Sequence, residues 1–437
     1  MSTTGQVGSV PDVGAPLDSA ESVDQAPAPA KKDERIGSLD LIRGIAVMGI
    51  LAANIVAFGQ PFQAYMYPQA FLTEHGPASD WLVVAQFVLI DGKMRALFTL
   101  LFGAGLYLFM ERAWARGASR WLQARRLAFL AMFGLIHVFF IWVGDILFYY
   151  AMIGFVVTGC LRWSVKAQLW TGLIAYIFGS LLYALMLTVP FAVADTSIGE
   201  AEEMTEMRAD LGRGKAEALS ASNEEAALIQ AGDYGGYVAH RLSEHWYEPL
   251  TNTLFFGLES FPLMLLGVAL YRMGFFSGGF ASSKMRMWGW IGLVVGAAWH
   301  LALILWAKDG DYTYYGMLAV FVGWSPIPRL LMALGIAALL VEYSPAWTGW
   351  LGQRVSAAGR AAFTNYLGTS IVMLFVFHGW ALGLFGELNR PLLYVVTALT
   401  CMLMLAWSKP WLERYRYGPL EWLWRCLTYG KLFPLKR

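Results

Sequence analysis

The chain has 437 residues, 57% of them hydrophobic and only 14% charged, with 32 basic residues against 31 acidic ones and a net charge of +1. A soluble domain carries roughly 25% charged residues. The deficit excludes a soluble globular protein, the even balance gives no basis for nucleic-acid binding, and the long apolar runs point to an all-α polytopic membrane bundle. Three cysteines (Cys160, Cys401, Cys426) lie too far apart for a disulfide framework or a metal-ligand spacing. The six histidines form no ligand cluster, so no metal is expected; His240 and His245 are too loosely spaced to change that.

Residues 1–34 are rich in Ala, Pro, Ser and Asp and lack a basic stretch followed by an apolar core, so they read as a disordered cytoplasmic tail rather than a signal peptide. A first span covers 38–59, and the loop 60–79 holds no Lys or Arg. The next apolar segment runs from Trp81 to Met110, interrupted by Asp91–Arg95. It is long for one crossing of a core about 30 Å thick, which implies a strong tilt or a first part lying at the interface. The connector Arg112–Arg126 is the strongest basic cluster. Residues 122–162 overshoot any single crossing, so they form a hairpin broken at Val143-Gly144, with Asp145 capping the second arm.

A span over 167–192 follows, then a polar, acidic stretch at 195–245, then spans near 249–271, 287–307, 314–341, 361–386 and 391–408. The total is about ten. The tail from Lys409 is aromatic and basic and suits the membrane face. The chain thus divides into a tail (1–34), an N-terminal membrane half (35–194), an extracytoplasmic insert (195–245) and a C-terminal membrane half with its interfacial tail (246–437). Lys and Arg concentrate in alternate short loops, which predicts both termini in the cytoplasm and the insert outside, in the plasma (inner) membrane.

Within this frame the stretch Gly134–Gly154 is almost wholly apolar yet holds His137 and Asp145. Lipid hydrates neither group, so each needs a protein partner or a wet cavity. His137 falls about six residues, roughly 9 Å, below the outer turn. Asp91, Lys93, Arg95 and Asn54 share the outer half, with His75 and Asp80 in the loop beyond, and these groups are expected to converge on one outward cavity. Asp91 and Arg95, four apart, also suit a structural ion pair. Near the inner surface, Asp40, Arg43, Arg125, Arg126, Arg360, Thr364 and Asn365 would receive an anionic ligand such as coenzyme phosphates. Arg329 stands alone in its span and needs a partner. Each group also has a plainer role: His137 as an interhelical hydrogen-bonder, Asp145 as a cap, the basic cluster as lipid-headgroup contact. The small residues of FGAG and GRAAFTNYLG suit helix packing.

The stretches RIGSLDLIRGIAVMGILAANI (35–55), GKMRALFTLLFGAGLYL (92–108), RRLAFLAMFGLIHVFFIWVGDILFYYAMIG (125–154), GRAAFTNYLGTSIVMLFVFHGWALGLFG (359–386) and GPLEWLWRCLTYGK (418–431) resemble the DUF418, or YeiB-like, family of bacterial membrane proteins. His378 and Ala381 depart from the Tyr and Gly that the pattern leads one to expect. Through the opening LDLIRG, the resemblance extends to the transmembrane acyltransferase superfamily. It implies a cytoplasmic acyl-CoA donor, a membrane-embedded histidine as base or acyl carrier, and an extracytoplasmic acceptor.

On that reading His137 acts on the acceptor, Asp145 or Asp91 orients it, Arg43, Arg125, Arg126 and Arg360 hold the donor phosphates, and Asp40, Asn54, Arg95 and Asn365 complete the binding groups. The acceptor is a sugar, lipid or polymer, and membrane lipids are the surrounding partners. The alternatives are a transporter or flippase using the same His/Asp path for protons, and a structural or assembly protein.

Overall fold

A computed structural model describes residues 37–73 and 76–437. The N-terminal tail and His75 lie outside them. The described residues are helical, with one isolated antiparallel bridge between Tyr415 and Lys436.

In chain order the first helices are α1 (Gly37–Gly59), α2 (Pro77–Leu89), α3 (Lys93–Trp114), α4 (Arg120–Phe140), α5 (Leu147–Cys160) and α6 (Val165–Asp195). Then come α7 (Thr205–Gln230), α8 (Tyr234–Glu244), α9 (Glu248–Arg272), α10 (Ser282–Asp309), α11 (Tyr314–Leu318) and α12 (Pro326–Tyr343). Last are α13 (Trp350–Arg360), α14 (Ala362–Phe377), α15 (Arg390–Arg414) and α16 (Pro419–Tyr429). Among the described residues seven helices are long and apolar enough to cross a membrane, and α13 with α14, bent by 85°, supplies an eighth. The expected ten also count α3, which is not among these helices, and α5, which is apolar but short.

Three breaks set the architecture. The long second segment is not one tilted helix. It stops at Leu89 and restarts at Lys93, because Gly92 adopts φ +72° and a Cβ there would lie 2.3 Å from Arg329 Nε. The hairpin breaks over 141–146, where the sequence placed it, and Asp145 Oδ2 accepts the Phe148 N–H at 2.7 Å to cap α5. The span expected at 314–341 is interrupted by a π-helical turn at Ala319–Trp324. Pro326 and Pro328 withdraw N–H donors there, and Ser325 Oγ (2.5 Å) and Arg329 Nη2 (2.7 Å) take the carbonyls of Val320 and Phe321 instead.

Small residues let the helices approach. A Cβ on Gly103 of α3 would sit 2.0 Å from the Met264 carbonyl oxygen, and one on Gly267 of α9 would sit 2.0 Å from that of Leu100. The two backbones are therefore in contact, as in small-residue crossings of membrane helices. Gly359 of α13 meets the Asp40 carbonyl of α1 in the same way. The 195–245 stretch is no loose appendage. Tyr315 Oη donates to the Leu211 carbonyl (2.7 Å), the Gly379 N–H to that of Ile229 (2.9 Å), and Tyr234 Oη to that of Phe140 (2.6 Å), so α7 and α8 are fastened across one end of the bundle.

Because α3 and α9 touch backbone to backbone, Gly267→Val should force them apart and cost about 1–3 kcal/mol. The expected readout is a clear drop in the thermal unfolding midpoint of the detergent-solubilised protein; an unchanged midpoint would contradict the close crossing.

Candidate functional site

His137 is fully buried one turn from the end of α4. Its Nδ1 lies 2.9 Å from Asp145 Oδ1, and that carboxylate is itself fixed by the cap on Phe148. Asp145 therefore serves as both cap and orienter. With Nδ1–H facing a carboxylate, the basic lone pair falls on Nε2. That atom is buried without a hydrogen-bond partner among the described residues. Tyr366 of α14 packs its ring 5.3 Å from the imidazole, and its Oη accepts the Ile146 N–H at 3.2 Å.

Two cavities flank this pair. The one beneath α7 and α8, labelled outer after the orientation expected from sequence, is about 490 Å³, lined by Asn54, Arg95, Trp142, Asp145, Tyr149, Tyr183, Glu259 and Arg329, and closed over by Ser222 and Glu225 of α7 and Arg241 of α8. The other, labelled inner, is about 360 Å³ and is lined by Arg43, Arg112, Arg116, Arg126, Arg360 and Arg425, by Phe98, Phe102, Leu130 and Leu147, and by Tyr150 and Tyr366. Glu421 is the carboxylate among its lining residues, and its oxygens are committed to the N–H groups of Phe363 (2.8 Å) and Thr364 (3.0 Å) and to the Thr364 hydroxyl (2.5 Å). The inner cavity is thus strongly cationic. Arg126 lies between Phe109 and Trp424, its guanidinium carbon 4.5 Å from each ring, with Nη1 buried and without a hydrogen-bond partner among the described residues.

Of the groups expected on the outer cavity, Asn54, Arg95 and Asp145 line it, with His137 directly behind Asp145. Asp91 and Lys93 turn elsewhere. Asp91 accepts from Gln86 Nε2 (3.0 Å) and Tyr65 Oη (3.5 Å), and the Lys93 ammonium donates to the Phe87 carbonyl. The expected Asp91–Arg95 pair is replaced by one that the sequence reading missed. Arg95 Nη2 meets Glu259 Oε2 at 2.5 Å, and Arg329 Nη1 meets Glu259 Oε1 at 2.7 Å. Glu259 is the partner that Arg329 required. It is an acid within an apolar span, so the reasoning applied to His137 would have found it. Asp80 pairs with Lys308 at 3.1 Å.

Of the inner set, Arg43, Arg126 and Arg360 line the cavity, joined by Arg112, Arg116 and Arg425. Asp40 bonds Arg43 at 3.3 Å. Asn365 is buried away from the cavity lining, donating to the Ala358 carbonyl (3.0 Å) and Ser408 Oγ (3.1 Å) and accepting from Trp407 Nε1 (2.9 Å). Arg125 is exposed, with its guanidinium beside Gly430.

The chain is 31% identical over 410 residues to the uncharacterised protein YeiB of Escherichia coli (strain K12), covering 90% of this chain and 96% of that one. It is 30% identical over 418 residues to the uncharacterised protein YxaH of Bacillus subtilis (strain 168), covering 94% and 98%. The family model "Protein of unknown function (DUF418)" matches residues 270–431. The chain belongs to the DUF418 family. A further relative, an uncharacterised 39.9 kDa protein of Bacillus acidopullulyticus, is 27% identical over 420 residues. No solved structure matches the chain. The DUF418-matched stretch contributes Arg329, Arg360, Tyr366, Glu421 and Arg425 to the two cavities, whereas His137, Asp145 and Glu259 precede it.

Two outcomes follow. Arg329→Met leaves Glu259 with Arg95 as its cation but strips the Phe321 carbonyl of its donor, and an unsatisfied buried acceptor costs about 1–3 kcal/mol; a fall in the unfolding midpoint is expected, against little change for Arg43→Met. Glu225, in the α7 lid, has its carboxyl pushed above the usual range by burial. Such a group favours folding when protonated and opposes it as pH rises through its folded value. Glu225→Gln should therefore raise the unfolding midpoint at pH 7, and the gain should shrink toward pH 4; a constant gain at both pH values would contradict this.

Proposed function

We propose that this chain is an integral-membrane acyltransferase of the plasma (inner) membrane, passing an acyl group from cytoplasmic acyl-CoA to an extracytoplasmic hydroxyl or amine. The observation that carries the reading is the position of His137, which hydrogen-bonds a carboxylate on the outer cavity and packs against a tyrosine on the inner one. The arginines of the inner cavity match the phosphates of a coenzyme, and its Phe98, Phe102 and Leu130 suit an acyl chain.

In the step proposed, the acceptor oxygen or nitrogen attacks the thioester carbonyl carbon while His137 Nε2 takes its proton. The C–S bond then breaks, and the leaving thiolate recovers that proton as free coenzyme thiol. Asp145 holds the imidazole and balances the imidazolium that forms between the two halves of the step. Tyr366 stands between the donor cavity and the base, so a side-chain shift of this ring admits the thioester.

The opposed cavities with a packed partition also suit a carrier that opens to one side at a time. The two readings separate in proteoliposomes containing labelled acetyl-CoA. Acyl transfer should appear in the wild type, fall by roughly 10²–10⁴-fold in His137→Ala, and show a raised donor KM in Arg126→Gln. Intact turnover in His137→Ala would sink the acyltransferase mechanism; proton-driven substrate uptake without any donor would establish the carrier.

A further inference from the structure

The cavity beneath α7 and α8 is lined by four carboxylates, Asp145, Glu225, Glu248 and Glu259. Asp145 bonds His137 and the Phe148 N–H. Glu259 pairs with Arg95 and Arg329. Glu248 takes Arg241 at 2.7 Å and His245 Nδ1 at 2.7 Å. Glu225 is the exception. The basic groups near it are Arg241, His245 and His240. The first two are committed to Glu248, and His240 Nε2 lies 3.3 Å from His245 Nε2. Among the described residues Glu225 therefore has no ion pair of its own, and its hydrogen bond comes from the Tyr237 phenol.

Glu225 also borders a second space. A side chamber of about 30 Å³ is lined by Ser222, Glu225, Tyr237 and His378, and it shares Ser222, Glu225 and Trp142 with the larger cavity. His378 caps the C-terminal end of α14, is 6% exposed, and packs its ring 5.3 Å from that of Tyr237. Its Nδ1 is buried without a hydrogen-bond partner among the described residues. As the Nε2–H tautomer, the imidazole carries a lone pair on that atom. Phe58 and Phe62 supply aromatic wall.

One small chamber is thus bordered by a carboxylate without a cation and an imidazole nitrogen without a donor. Its volume suits one or two groups the size of water. Water would satisfy the nitrogen but leave the carboxylate charge unanswered. A primary ammonium does both, because it brings a positive charge and three N–H donors, and aromatic faces favour it.

We propose that Glu225 and His378 form an ammonium-binding subsite beside the outer cavity, so that the acceptor is an amino alcohol whose ammonium is seated there while its hydroxyl is acylated. The identity of the acceptor rests on the acyl-transfer reading; ammonium binding itself does not. Trp142, which lines both spaces, has its ring centroid 6.3 Å from that of His137, so the subsite and the base are separated by little more than one indole.

The test is thermal unfolding of the full chain in uncharged detergent with 2-amino-1,3-propanediol or with glycerol, which differ by the ammonium. A parallel arm compares lipid discs of phosphatidylethanolamine with discs of phosphatidylcholine. A saturable rise of the midpoint with the aminodiol, absent with glycerol, assigns the subsite to a water-soluble amino alcohol. A rise confined to phosphatidylethanolamine discs, and lost in Glu225→Gln, assigns it to a lipid headgroup. Glu225→Gln should weaken ammonium binding by about tenfold or more, while its ligand-free midpoint at pH 7 is raised, so lost binding is not lost folding. His378→Phe, which keeps a ring against Tyr237, should weaken it by about three- to tenfold. Arg126→Gln, which alters the inner cavity, should leave the response in place. The proposal is overturned if neither the aminodiol nor phosphatidylethanolamine shifts the wild type, if glycerol shifts it as far as the aminodiol does, if the shift disappears in Arg126→Gln, or if Glu225→Gln or His378→Phe binds as tightly as wild type. Acyl transfer that fails while ammonium binding persists would remove the enzymatic reading alone.

Discussion

Glu259 accepts one guanidinium on each carboxylate oxygen, Arg95 from α3 and Arg329 from α12, with the Tyr176 hydroxyl of α6 at 3.4 Å. Four helices are thereby tied at one buried point. The arrangement explains features that look unrelated in sequence. The break before α3 needs a glycine because Arg329 passes against it. The π-helical turn before α12 persists because Arg329 takes one of its carbonyls. The crossing of α3 on α9 must be tight enough to bring Arg95 to Glu259, and Gly103 and Gly267 make it so. In a low-dielectric interior such a group is held in place by the expense of breaking it.

The spans, the hairpin and the pairing of His137 with Asp145 were legible because each follows from local rules: length against bilayer thickness, Gly ahead of a cap, an ionisable group in an apolar run. The grouping of Arg43, Arg126 and Arg360 was legible through alternation of basic loops. What sequence could not give was partner choice across distant helices. Asp91 and Arg95 are four apart and suit each other by helix geometry, yet the break at Gly92 separates them and each finds a partner from elsewhere. Asn365 lies beside Arg360 in sequence, but the bend between α13 and α14 turns it toward Ser408 and Trp407. Arg125 and Arg126 are neighbours, yet the helical turn sends one to solvent and the other between two aromatic rings.

The acidic 195–245 stretch carries a second lesson. Its polarity and position read as an extracytoplasmic domain, but polarity says nothing about where such a segment rests. Hydrogen bonds from Tyr315, Gly379 and Tyr234 fix it across one end of the bundle, and Ser222, Glu225 and Arg241 roof the larger cavity.

The inner cavity draws its walls from nearly opposite ends of the polypeptide, Arg43 on α1 and Arg425 and Tyr429 on α16. During synthesis, the earlier helices are inserted long before the last of these side chains emerges. A chain halted short of Trp424 carries five of the chamber's six arginines but lacks the aromatic wall of Trp424 and Tyr429.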